Sequence, residues 1–148
     1  MPTLTQAQGA KGAALTFTPA LAGLASGAYA VSGTINQGAA IPLDQTIEAE
    51  IVAPATLGAG FQVVLFMETS TDGGTTWTGP ATRATVSDAQ ENYIGSIPVT
   101  VAAARASKSF SILGLPVSQV IRIVAKNDTG LTLTSGAVYL APITGVST

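Results

Sequence analysis

FQVVLFMETSTDGGTTWT, Phe61 to Thr78, is the stretch on which the fold of this chain turns. Successive side chains of a strand point to opposite faces, so Phe61, Val63, Leu65 and Met67 share one face while Val64 and Phe66 occupy the other. A strand apolar on both sides is either central in a packed sheet or turned toward a partner. Phe61, Val63, Val64, Leu65, Phe66 and Met67 are therefore the candidate interface. Gly73 and Gly74 then end the run, and the chain is expected to return as a second strand over Thr75–Thr78.

The same grammar extends outward in both directions. Sixteen glycines and eight prolines punctuate the chain so evenly that no long window reads as an amphipathic helix. Runs rich in Val, Ile, Thr, Phe and Tyr predict strands at Ala13–Thr18, Ala28–Ile35, Thr46–Val52, Phe61–Ser70, Thr75–Thr78, Tyr93–Val101, Lys108–Leu113, Gln119–Lys126 and Leu131–Leu140. Eight or nine strands so spaced imply an all-β, single-domain antiparallel β-sandwich, jelly-roll-like in organisation. One helical turn is expected at Val101–Ala106, from its alanines. Residues 13–140 form the sandwich domain, with residues 1–12 and 141–148 as terminal arms. Such polar, small-residue ends are ordered only when something holds them, and a neighbouring subunit is the simplest holder.

Charge is scarce. Only 9% of the 148 residues are Asp, Glu, Lys or Arg, beside 47% hydrophobic residues, where an ordinary domain is about a quarter charged. A folded monomer of this mass exposes roughly 7,000 Å², which leaves each charge about 500 Å² to itself. Surface covered by partner protein suits that composition. The chain has no histidine and no cysteine, which removes the commonest general base, a thiol nucleophile and the usual transition-metal ligands. No cofactor is expected and catalysis is disfavoured. The six basic residues are scattered, so there is no nucleic-acid footprint. No apolar run reaches the length of a membrane helix, and the stretch Ala13–Ala30 behind Lys11 is too interrupted for a signal peptide.

The local motif STDGGTTW, Ser70 to Trp77, has the form S-x-D-x-G-x-T-W and so resembles the Asp box of sialidases and other propeller proteins. That resemblance implies a structural turn held by Ser70, Asp72, Gly74, Thr76 and Trp77, remote from any active site. A degraded second copy is read at Asp128–Leu133. Glu48 and Glu50 share one strand face about 6.7 Å apart. They are read as a solvated edge; as an acid pair with Glu68 they would need a common cleft. Asp88, Glu91 and Asn92 are read as a polar loop in preference to a calcium site. Trp77 with Tyr93 is the candidate sugar-stacking surface, although core packing is the better reading of most of the rings.

The small β-rich chain, its Ala/Thr/Gly composition, its few charges and its terminal pair RIVAKNDTGLTLTSGAVYLAPI, Arg122 to Ile143, resemble small jelly-roll virion proteins of tailed bacteriophages, of the capsid decoration or cement type. The resemblance implies a protein on the capsid exterior that self-associates as a dimer or trimer and binds the major capsid protein. The alternatives are a tail or baseplate component, or a carbohydrate-binding module with a glycan as partner.

Overall fold

The computed structural model describes residues 4–39, 41–42, 44–56, 62–79 and 93–147, and these form two antiparallel sheets packed face to face with no helix. The strands are β1 (Leu4–Gln8), β2 (Phe17–Thr18), β3 (Tyr29–Ser32), β4 (Ile35–Asn36), β5 (Asp44–Val52), β6 (Gln62–Ser70), β7 (Tyr93–Pro98), β8 (Arg105–Ser111), β9 (Val120–Asp128) and β10 (Ser135–Ser147). One sheet has the order β1-β10-β5-β8 and the other β2-β3-β9-β6-β7, with β4 also paired to β9. The chain is thus an all-β sandwich, as expected. Eight strands are four residues or longer, and β2 and β4 are two-residue pairings.

Alternation builds the core. Ile47, Ala49 and Ile51 of β5 and Val138 of β10 face Val63, Leu65 and Met67 of β6 and Ile121, Ile123 and Ala125 of β9, all at most 1% exposed. Burying a side chain of this size stabilises the fold by about 1.5–3 kcal/mol, so the inward rows outweigh any surface ion pair. The sandwich closes along one side where edge strands β7 and β8 meet. Phe110 packs onto Gly95, where a Cβ would collide with the ring. Lys108, on the inward row of β8, donates to the Ser96 carbonyl at 3.2 Å. A lysine in that position keeps an open edge from pairing with another sheet.

Four expectations are corrected. Thr75–Thr78 is not a strand: the Thr69 N–H donates to the Thr78 hydroxyl, 3.1 Å, and the ladder stops after the Thr78 N–H meets the Thr69 carbonyl. Val101–Ala106 is not a helical turn. Ala103 sits at φ 52°, its N–H bonds the Pro54 carbonyl, and β8 has begun by Arg105. The expected strand Ala28–Ile35 breaks into β3 and β4 at Gly33 and Thr34. Finally, residues 4–8 of the expected N-terminal arm form a strand: β1 pairs with Ile143–Ser147 of β10 from Leu4↔Ser147 to Gln8↔Ile143. Hence β10 runs seven residues beyond its expected end at Leu140.

Candidate functional site

The end of β6 runs into a polar turn dense in side-chain hydrogen bonds. Asp72 Oδ1 accepts from the N–H groups of Thr75 (3.0 Å) and Thr76 (2.9 Å), and Oδ2 accepts from the Thr76 hydroxyl (2.7 Å). Ser70 Oγ donates to Asp72 and accepts from the Gly74 N–H at 2.8 Å. Gly73 and Gly74 have φ of 74° and 98°, which L side chains rarely adopt. These donors, the Thr76 backbone first, hold the Asp72 carboxyl well below the usual carboxylate range. Ser70, Asp72, Gly74 and Thr76 thus share one hydrogen-bonded turn.

Trp77 folds back over this turn, its ring 3.4 Å from where a Gly74 Cβ would lie. Its face is covered by the Arg122 guanidinium, 4.2 Å from the ring centroid, and Arg122 in turn pairs through Nε with Glu68, a side chain only 2% exposed. Burial pulls the Arg122 pKa below its ordinary value, and the guanidinium stays ionised. Tyr93 stands across β6 from this group, edge-on to Phe66 at 6.1 Å and 65°. Trp77 is a half-buried prop with one face under a cation, and Tyr93, 46% exposed, leans through Phe66 on a second apolar cluster of Val64, Phe66 and Val124 with Tyr29 and Val31.

That cluster moves the candidate interface off β6. Val63, Leu65 and Met67 belong to the core between the sheets, while Val64 and Phe66 are 5% and 6% exposed within the chain. The strand is apolar on both faces because it is central, flanked by β9 and β7. Phe61 lies outside the described residues, as do Asp88, Glu91 and Asn92. Glu48 and Glu50 do not converge with Glu68. They alternate with the core row of β5 and so face outward from the first sheet, whereas Glu68 alternates with the core row of β6 and faces outward from the second. Glu48 binds Lys11 Nζ at 2.9 Å, and Glu50 binds Arg105. Among the described residues no acidic group is arranged to hold a metal.

Exposed apolar surface appears elsewhere, in the loop between β8 and β9. Leu113 is 74% and Val117 78% exposed, in a segment, Ile112–Ser118, without a charge. The loop is fixed by bonds, not loose: the Ile112 N–H donates to Asp44 Oδ1, and the Ser118 hydroxyl donates to the Ser70 carbonyl at 2.7 Å. Beneath it is a recess of about 60 Å³ lined by Gln37, Pro42, Gln45, Ile112, Leu113 and Leu115. This holds a water or two, not a sugar ring. Gln45, 6% exposed, donates to Gln37 Oε1 at 2.8 Å, while its own Oε1 has no partner among the described residues.

Two further residues escaped the sequence reading. The expected second turn at Asp128–Leu133 is organised by Asn127, fully buried, whose Nδ2 donates to the Leu24 and Leu131 carbonyls and whose Oδ1 accepts from Thr129. An asparagine ahead of D-T-G is a readable turn signal. Lys11 was seen only as a lone charge, yet it ties the N-terminal segment to Glu48 and lies 3.7 Å from the Tyr139 ring centroid. No protein-family model matches this chain, and no curated protein matches its sequence.

Proposed function

We propose that this chain is a non-catalytic assembly protein of the capsid decoration type, which binds the exterior of a virion shell and associates with copies of itself. The strand order supports it. Of the eight longer strands, 1, 10, 5 and 8 make one sheet and 3, 9, 6 and 7 the other, so the path crosses repeatedly between sheets as two interleaved Greek keys do in a jelly roll. The charge arrangement supports it too. Lys11–Glu48, Arg105–Glu50, Arg122–Glu68 and Lys126–Asp128 pair within the chain, which leaves the surface poor in free charge.

The observation that carries the reading is the uncharged loop 112–118, held in place with Leu113 and Val117 pointing into solvent. A rigid apolar knob of this kind costs little entropy on docking and contributes through buried area, and many such contacts sum across a shell. The mechanism is adhesive. The glycan-binding alternative draws less support, because Arg122 already covers one face of Trp77.

Shells assembled from a major capsid protein, pelleted with the purified chain, test this. The native protein is expected to co-sediment at 0.5 M salt. Leu113→Asp combined with Val117→Asp is expected to abolish pelleting and to shift unfolding stability by no more than about 0.5 kcal/mol, as at other exposed sites. Equal pelleting of the variant would remove the loop from the account.

A further inference from the structure

The N-terminal segment is attached to the sandwich in an unusual way. Beyond β1 the chain continues alongside β10, with the N–H groups of Gly9, Gly12 and Leu15 donating to the carbonyls of Pro142 (2.7 Å), Leu140 (2.9 Å) and Val138 (2.8 Å). Residues 4–15 thus follow β10 for nearly its whole length. Yet Ala7, Gln8, Ala10, Lys11, Ala13 and Ala14 are all exposed, and the first anchors in the core are Leu15, half-buried, and Phe17, 7% exposed. The segment is held by main-chain bonds and by the Lys11 contacts to Glu48 and Tyr139.

The edge it occupies is nonetheless selective. A Cβ on Gly9 would fall 2.9 Å from Pro142 Cγ, and one on Gly12 would fall 3.2 Å from the Leu140 carbonyl, so the two glycines set the register. β5 ends its pairing with β10 at Asp44↔Ile143, so residues 144–147 pair only with β1 among the described residues. Those four residues project about 14 Å past the end of β5 at the usual strand rise. From Leu15 outward the released segment reaches about 35–40 Å.

We infer that residues 4–14 are an exchangeable arm, and that in the assembled protein the arm of one copy lies on β10 of a second copy, in the register it takes on its own. This rests on the self-association proposed above and names its contact. The arm's bonds to β10, Glu48 and Tyr139 are to groups that each copy presents identically, so closed and exchanged forms share them. Reciprocal exchange is symmetric and closed, and leaves no strand edge open that the closed form covers.

The chain has no cysteine, so introduced thiols are unique. Because the Gly9 N–H bonds Pro142, the next pair, Gln8↔Ile143, is a non-hydrogen-bonded pair with Cα atoms about 4.5 Å apart, within disulfide range. Gln8→Cys and Ile143→Cys proteins, made separately, mixed, concentrated until light scattering detects an oligomer and then oxidised, give a direct readout. Exchange predicts the mixed disulfide in about tenfold excess over the two same-variant dimers together, reflecting the high effective concentration of a docked arm. It also predicts that the double variant Gln8→Cys/Ile143→Cys oxidises to chains linked to each other. Random collision gives the mixed species only in equal amount to the other two. That result, or a double variant that closes solely within one chain, overturns exchange and leaves self-association standing. A monomer at every concentration overturns both.

Discussion

At one end of the sandwich the turns 19–28, 53–54, 99–104 and 129–134 bond to one another, whereas at the opposite end, where 37–39, 41–42, 70–79 and 112–118 lie among the described residues, Leu113 and Val117 stay in solvent. At the first, Gly27 donates to Asn127, Leu133 to Leu24, Ala53 to Ala104 and Ala103 to Pro54, all within 3.0 Å. Leu21, Leu24 and Leu133 are buried there, and Val101 is a single exposed side chain of the kind that needs no explanation. At the second end, hydrogen bonds are spent on holding the loop in place and its apolar groups are left uncovered. A knit end closes the core. A rigid end with open apolar groups has surface left to bury, and there the projecting ribbon of β1 and β10 also emerges.

The contrast can be broken most severely at Asn127. Asn127→Ala removes one of the two donors to each of the Leu24 and Leu131 carbonyls and leaves the Thr129 N–H without its acceptor, in a site with no exposure. A loss of about 3 kcal/mol in urea unfolding is expected, since a stranded buried N–H costs about 1–3 kcal/mol and the lost side-chain bonds add to it. A change below 1 kcal/mol would mean that the backbone bonds close this end without the asparagine.

At the open end a smaller effect, dependent on pH, is expected from Asp72. Its folded pKa lies below the ordinary 3.8, so its contribution is complete above that value and is lost as pH falls through it toward the folded pKa. Thermal melts from pH 6 down to pH 2 should show the native protein losing stability more steeply below pH 4 than Asp72→Asn does. Parallel curves would show that the turn stands without the carboxylate's charge.

Much of the fold was legible in alternation. The inward rows of β5 and β9 and the central position of β6 follow from the spacing of Ile47, Ala49 and Ile51, of Ile121, Ile123 and Ala125, and of the doubly apolar Val63–Met67. The Asp72 turn was legible because its donors lie within four residues of the carboxylate. What pairing decides was not. β1 has no hydrophobic pattern and becomes a strand because β10 offers it the edge opposite β5. The candidate interface was misplaced for a related reason: a strand covered on both faces by its own chain and one turned toward a partner carry the same residues. Leu113 and Val117 lie in a loop without periodicity, where exposure is fixed by the bonds of Asp44, Ser70 and Ser118.

The absolute mass of the purified protein, measured by light scattering after size exclusion at micromolar concentration in both 50 mM and 0.5 M salt, tests the central claim most directly. Association through apolar contacts and exchanged main-chain bonds predicts two or three times 14.7 kDa, unchanged by salt because few charges remain to be screened. A single 14.7 kDa species in both buffers, or an oligomer that dissolves in the higher salt, would contradict it.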